Sequence, residues 1–391
     1  MKIKKKGRIL AFLLTGVLLG GCGTDPTAGI PYQIWEPLAS ETETDQTYGA
    51  DESDEEETGT EETVESVEQS DIEDADRTVT ITISAAGDVT LGNHQNQDYG
   101  YSFRQKYDEE GDSYFFKNVK DIFEKDDMTI VNFEGVLTFA EERRETTYNM
   151  KGDPSYINIL KEGSVEAAGF ANNHRLDYLK QGSDDTVACF EDAGIVYAYD
   201  HVTGIFETKG IKIGLIAVDE VEQGSAVERY IQEGIPSLRE QGADLVIVYC
   251  HWGIERENTP EDYQMVLGHK CVDWGADLVL GSHPHVLQGI EVYQGRFIVY
   301  SLANFCFGGN RSPQDKDTMV FQQQFTFVDG VKQEDTVGRV IPCSVSSVSS
   351  LNDFCPTPAE GEECSRILNR IQEYSTPFGT TFDTDGNYVA P

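Results

Sequence analysis

From residue 78 onward the chain alternates short apolar runs with amphipathic stretches. Thr78–Ala85 reads TVTITISA, in which apolar and β-branched positions alternate with polar ones, and this predicts a strand. Met128–Phe133, Val165–Phe170, Ile195–Tyr199, Asp244–Tyr249 and Asp277–Leu280 are apolar runs that also predict strands. Gly204–Lys209 and Ile211–Val218 meet at Lys209-Gly210, a hairpin signal. Between them, Tyr114–Asp126 spaces Phe115, Val119, Ile122 and Phe123 for an amphipathic helix, and Pro154–Lys161, Gln181–Ala193, Gly224–Gln241 and Pro260–Trp274 read as further helices. After Gly281 strands dominate: Gly289–Tyr293, Arg296–Ser301, Met319–Val328 and Val337–Pro342, then a helix over Glu362–Tyr374. This order predicts an α/β sandwich, a mixed sheet or sheet pair flanked by helices, over residues 78–350, with 351–391 as a C-terminal extension.

The ends of the predicted strands are unusually polar. Asp88 follows Gly87, Asn132 and Glu134 close the second run, Asn173 and His174 the third, His251 follows Asp244–Tyr249, and His283 and His285 follow Asp277–Leu280. Ligands of open α/β sheets bind outside such carboxyl ends. Each residue alone has an ordinary reading, Asp88 as a helix cap, Glu134 as an ion-pair partner, His251 as a core histidine. Together, Asp88, Glu134, Asn173, His251, His283 and His285 form an N/O donor set suited to one or two ions of the zinc, manganese or iron kind. Pro284 fixes its own φ and biases His283 away from the helical region, which predicts a stiff loop holding the two imidazoles. His94 falls in a loop just past Asp88, whereas His201 and His269 fall in a turn and a helix. Trp252, Phe305 and Phe307 stand beside strand ends, as pocket wall or as core.

Composition adds a leader and a spacer. Residues 1–22 carry five basic residues by Arg8, an apolar run from Ile9 to Leu19, and small residues before Cys22, the pattern of a secretory signal too short to span a bilayer. Residues 23–77 predict a tether: from Glu41 to Asp76 there are 17 acidic residues and no Lys or Arg, so this segment is expected to stay disordered and extended. The chain carries a formal net charge of −39. A nucleic-acid partner is not expected, since phosphate binding needs a basic footprint. Apart from Cys22, seven cysteines remain and none has CxxC spacing; Cys250 and Cys306 read as buried hydrophobes, and Cys355 and Cys364 flank a loop that would let them pair.

Leu19-Gly20-Gly21-Cys22 resembles the lipobox of bacterial lipoproteins, which implies diacylation of Cys22 and an anchor on the extracytoplasmic face of the cell membrane. Gly87-Asp88-Val89, Asn132-Phe133-Glu134, Asn172-Asn173-His174 with Asp177, His251-Trp252-Gly253-Ile254-Glu255, Gly281-Ser282-His283-Pro284-His285-Val286 and Tyr300-Ser301-Leu302-Ala303-Asn304-Phe305 occur in the order seen in the CapA-type family of poly-gamma-glutamate capsule synthesis proteins. The chain resembles that family over roughly residues 80 to 350. The resemblance implies a four-layer α/β/β/α sandwich of metallophosphoesterase type. It implies Asp88, Glu134, Asn173, His251, His283 and His285 as metal ligands, His174 as an acid oriented by Asp177, and Asn132, Trp252 and Asn304 around the pocket.

Three departures from the pattern stand out. Val89 and Thr90 follow Asp88 where metallophosphoesterases have Asp-x-His, Glu134 replaces an aspartate, and Ala303 stands where the capsule family tends to have glycine. The expected function is a surface-anchored protein of poly-gamma-glutamate capsule or exopolymer biosynthesis with a metal-dependent hydrolase-like site acting on a phosphoester or an amide. The alternative is a non-catalytic membrane-associated subunit that binds the anionic polymer or supports a synthase.

Overall fold

The computed structural model describes residues 77–334 and 336–391; the signal sequence, Cys22 and the acidic stretch expected from the sequence lie outside them. The described chain is built on two sheets. The nine-stranded first sheet follows the order Thr357–Pro358, Val337–Ser344, Asp317–Val328, Thr78–Thr90, Met128–Phe133, Ala167–Gly169, Val196–Ala198, with Asn304–Phe307 lying parallel to the end of Thr78–Thr90. The six-stranded second sheet follows the order Ile290–Tyr293, Arg296–Val299, Leu278–Ser282, Leu245–His251, Ile211–Asp219, Gly204–Thr208, the last two strands forming the predicted hairpin.

Three apolar clusters define the layers. Ile81, Ile83, Ala85, Met128 and Ile130 of the first sheet meet Ile213, Leu215, Leu245, Ile247 and Leu280 of the second in a core between the sheets. Ala86, Val131 and Ala168 on the other face of the first sheet pack against Phe103, Ile159, Leu160 and Phe190 of the helical layer. Val246, Val248 and Val279 of the second sheet pack against Ile231, Ile235, Leu238 and Leu267 of the helices Val227–Glu240 and Asp262–Asp273. The result is the expected four-layer α/β/β/α sandwich. The helix expected at Glu362–Tyr374 spans Gly361–Ser375 and inserts Ile367, Leu368 and Ile371 into the core between the sheets. Arg366 and Arg370 fix it to Asp317 through side-chain hydrogen bonds.

Several expectations need correction. The continuous helix expected over Tyr114–Asp126 is a 3-10 turn at Asp112–Tyr114 and a single helical turn at Lys120–Phe123. Phe115 and Phe116 are adjacent and both buried, as are Val119 and Phe123, whereas a regular helix would turn the two phenylalanines about 100° apart. The irregular path buries both. A helix at Phe103–Glu110 was not foreseen; its start is marked by Ser102, whose side chain accepts from Gln105 N, and Ser-x-x-Gln is a legible capping signal. The seven cysteines of the described residues are all free, so Cys355 and Cys364 are not bonded to each other, while Cys250 and Cys306 are buried as expected.

At the end of the first sheet opposite the polar strand ends, burial pushes the carboxyls of Asp126 and Glu166 up, to about 6 and about 7, and burial likewise lifts Asp219 to about 7. Folded-state values above the unfolded ones mean stability that is complete below about pH 4 and is lost as the pH rises through 6 to 7. Chemical unfolding should therefore show a lower midpoint at pH 8 than at pH 5. Glu166→Gln, which keeps an acceptor for Thr129 N, should flatten that slope.

Candidate metal centre

A bulge aims the first carboxylate. Before Gly87 the odd-numbered residues Ile81, Ile83 and Ala85 face the second sheet, and after it Val89 faces the helical layer. The register with Met128–Phe133 shifts between Ala86 and Asp88, so Gly87 is the extra residue and the alternation inverts there. Asp88 thereby turns toward the second sheet, not into the helices. A Cβ at Gly87 would lie 1.8 Å from the carbonyl oxygen of Ala303, and Asp88 N donates to that oxygen at 2.9 Å. Gly87→Ala should displace the strand and cost several kcal/mol, on the order of 4, visible as a collapsed thermal transition of the purified protein.

The residues singled out in the sequence converge here from both sheets. Asp88 lies beside Asn132 and Asn304 on neighbouring strands, and Asn132 Nδ2 donates to Asp88 Oδ1 at 2.8 Å while lying 3.2 Å from His251 Nδ1. His251 Nε2 is 3.0 Å from Asn173 Oδ1 and 3.1 Å from His283 Nδ1. His285 Nδ1 is 3.1 Å from Asp88 Oδ2 and 2.9 Å from Asn304 Oδ1. Asp88, Glu134 and His285 each offer one ligand atom, all within 4.8 Å of one another. His174 Nε2 is 3.6 Å from Glu134 Oε1, and its Nδ1 is 2.6 Å from Asp177 Oδ2, which also accepts from Met150 N. The His174–Asp177 pair sits in a turn and not in a helix.

The histidine loop carries backbone strain. His283 and His285, on either side of Pro284, have φ of 97° and 58°, and Ala303 has φ of 65°. These are left-handed values that cost non-glycine residues of order 1 kcal/mol or more, and they gather where the surrounding fold enforces them. The loop is stiff, as Pro284 suggested, but both imidazoles are held in conformations that the proline bias does not foretell. Ala303 occupies a position whose conformation favours glycine, the residue expected there.

Not every expected wall residue reaches the site. Trp252 is fully buried in the outer core of the second sheet, where its Nε1 donates to Tyr300 O at 2.8 Å, so it is not a pocket residue. Phe305 is core as well, packed on Phe116 and Phe123. Phe307 does line the site, its ring 5.2 Å from that of His285. His269 bonds to Glu291 and stacks on Tyr293, a structural role. Tyr249 was missed: its hydroxyl donates to Ala86 O and meets Ser282 Oγ, tying the two sheets together beneath the site. An apolar strand hides such a hydroxyl, and no signal marked it.

The electrostatics favour a cation. Burial, then the Asp88 charge, push the Glu134 carboxyl up to about 7. Burial works to lower His285, but Glu134 and Asp88 outweigh it and hold the imidazolium up to about 10. Burial, then His285, press His283 down to about 4, and burial keeps His251 well below the ordinary histidine range. Two imidazoles are thus neutral, as ligands must be. Both oxygens of Glu134 are buried without a hydrogen-bond partner, and the nearest imidazole nitrogens, His174 Nε2 and His285 Nε2, stand 3.6 and 3.9 Å from Oε1, too far to hydrogen-bond, an arrangement that is costly for a carboxylate and leaves room for an ion. This orphaned carboxylate, the neutral imidazoles and the compact Asp/Glu/His cluster fit a divalent ion.

Comparison with known proteins gives the lineage. The family described as "Bacterial capsule synthesis protein PGA_cap" matches residues 82–309, which hold every one of these residues. The chain belongs to this family. It is similar to the "Capsule biosynthesis protein CapA" of Bacillus anthracis, 27% identical over 253 residues, 58% of this chain and 60% of that one. It is 29% identical over 248 residues to the "PGA biosynthesis protein CapA" of Bacillus subtilis (strain 168), covering 58% of this chain and 63% of the relative. A "Probable polyglutamine synthesis accessory protein" of Mycobacterium tuberculosis is 25% identical over 208 residues, 44% of this chain and 54% of the other. The PGA_cap chain thus spans about three fifths of the length of the curated relatives it matches.

In this PGA_cap member the residue two places after Asp88 is Thr90 and not the histidine of the expected pattern. Its buried hydroxyl also lacks a hydrogen-bond partner, and it lines the narrow cleft that contains Glu134. Hydroxyl for imidazole makes that side of the centre a weaker donor set.

Proposed function

We propose that this protein serves the production of a polyglutamate capsule or exopolymer from the extracytoplasmic face of the cell membrane, held there by a diacylated Cys22, and that its strand-end site is a metal-dependent hydrolase-like centre. The capsule role rests on family membership. The observation that carries the centre is the unpartnered Glu134 carboxylate facing Asp88 and His285, with His251, His283 and Asn173 alongside. Bound there, a divalent ion of the manganese, zinc or iron kind supplies Lewis-acid chemistry, polarising a phosphoryl or carbonyl group and lowering the pKa of water.

The chain's own residues do the rest. Asn132 couples the two halves of the ligand set, and Asn304 orients His285. His174 is held by Asp177 with its Nε2 facing the site; burial opposes its protonation, but the Asp177 hydrogen bond and the Glu134 charge outweigh it and raise its pKa, so it keeps a proton to give to a leaving group. The fully buried Asn132 and Tyr249 lock the supporting shell.

A second reading is favoured by Thr90: a centre weakened on one side suits a non-catalytic subunit that binds polymer or supports a membrane synthase. Elemental analysis of the isolated protein, followed by assays with manganese or zinc on an aryl phosphate and on poly-gamma-glutamate, separates the two. Turnover of either substrate is expected. Bound metal with no turnover of either would leave only the second reading.

A further inference from the structure

The largest cavity of the described chain lies outside the strand-end site, and the proposed chemistry does not use it. It encloses about 580 Å³, within the range of a small-ligand site, and is walled by the Asn93–Tyr99 loop, the Phe103–Glu110 helix and the Met150–Gly152 strand.

Two phenols open into it. Tyr156 and Tyr178 are only 5% and 3% exposed, yet both line the cavity, and neither hydroxyl has a hydrogen-bond partner among the described residues. Neither oxygen is among the sealed, unpartnered atoms of the interior, so both keep a surface to offer. A buried tyrosine ordinarily finds a partner for its hydroxyl, and one left open toward a cavity points to a ligand that supplies it. The charges of Asp108, Asp153 and Arg104 all act on the Tyr156 phenol, which places them around it. These groups have capacity to spare. Asp108 accepts from Tyr99 through Oδ2 and Asp153 from Ser155 through Oδ1, which leaves each carboxylate its other oxygen. Arg104 makes no ion pair among the described residues; its guanidinium lies 5.8 Å from the ring centre of Tyr99. Lys151 donates to Ala140 O at 2.7 Å and has further N–H groups free. On the same walls Tyr99 and Phe139 are exposed, by 53% and 73%.

This lining disfavours the simpler ligands. An anion would face Asp108, Glu141 and Asp153, a cation would face Arg104 and Lys151, and an apolar molecule would strip all five of water without replacing it. An uncharged molecule with many hydroxyls and an apolar face meets every wall. We propose that the cavity binds a chain of uncharged pyranose sugars. Each sugar hydroxyl both donates and accepts, so neighbouring hydroxyls can bridge Asp108 and Arg104, or Asp153 and the Tyr156 phenol. The C–H face of a pyranose ring can lie on Phe139 or Tyr99, burying apolar area that is now wet. Such a ligand goes beyond the capsule reading and requires neither the metal nor the polymer.

The test is calorimetric titration of the full chain in detergent with cellohexaose and the chitin hexamer, two uncharged probes that differ in the N-acetyl group, and with a γ-linked glutamate hexamer as the charged control. At least one neutral hexamer should bind, with an affinity that stays level between about 50 and about 500 mM salt and is unchanged by chelation. Phe139→Ala and Tyr156→Phe should each weaken it about tenfold, the first through lost stacking and the second through one lost hydrogen bond, with the thermal transition and manganese binding unmoved. Tighter binding of the chitin hexamer would assign the site to an N-acetylated glycan, and tighter binding of cellohexaose to an unsubstituted one. No binding of either neutral probe by a cooperatively melting wild type would overturn the sugar site and leave the capsule reading standing. Undiminished binding in both variants would place the sugar elsewhere and overturn it as well, as would tighter, salt-sensitive binding of the acidic hexamer with the same dependence on Phe139 and Tyr156.

Discussion

Glu134→Gln is expected to make the metal-free protein harder to unfold and, in the same molecule, to weaken divalent-ion binding by about 100-fold or more, beyond what loss of a supporting group alone costs. The two effects share one cause. The Glu134 carboxylate is buried, without a hydrogen-bond partner and close to Asp88, and burial and the Asp88 charge outweigh the nearby His285 and His174, so its charge is tolerated only at a cost in stability. Its folded pKa, about 7, lies above the unfolded value, so its contribution to stability is complete below about pH 4.5 and is lost as the pH rises through 7. Glutamine keeps the shape and removes the charge. The gain should accordingly be absent at pH 5 and reach on the order of 1 to 3 kcal/mol at pH 8, measured by denaturant titration after chelation. Manganese should then raise the melting temperature of the wild type and leave the variant nearly unmoved. A variant less stable than the wild type at pH 8 without metal would mean that the carboxylate is already satisfied, and the argument for a cation would fall.

The second large effect concerns the proton donor. If the centre is hydrolytic, His174→Ala should reduce kcat on an aryl phosphate by about 100-fold to 10,000-fold, the range of a lost general acid, with the metal content unchanged. Asp177→Asn should do less at neutral pH but move the alkaline limb of the pH–rate profile downward. The Asp177 hydrogen bond is the largest influence raising the His174 pKa, and without it the imidazolium loses its proton earlier. An activity that survives His174→Ala unchanged would remove this residue from the chemistry. Loss of metal in that variant would instead make it a ligand.

Most of the strands, the hairpin and the long helices were legible because their apolar periodicity is set by burial on one or both faces, and the convergence of the candidate residues was legible because they sit at strand ends or in the turns just past them. What escaped notice was decided by tertiary contacts. Nothing local in Phe115-Phe116 says that both rings are buried together, and so the helix expected there gave way to turns. Trp252, two residues from a loop of polar groups, was drawn into the outer core by a hydrogen bond to Tyr300 that no spacing reveals. The inversion of alternation at Gly87 is hidden in sequence because a bulge is a property of a strand pair. The positive φ of His283 and His285 is likewise imposed by what surrounds the loop.

The donor set is divided evenly: Asp88, Glu134 and Asn173 come from the ends of the first sheet, His251, His283 and His285 from the second. Apart from a few polar ties such as Tyr249, the sheets adhere through apolar side chains. An ion gripped by both would act as a rivet between the layers. Its departure would loosen the whole slab, and proteolysis of the stripped chain should begin along that seam.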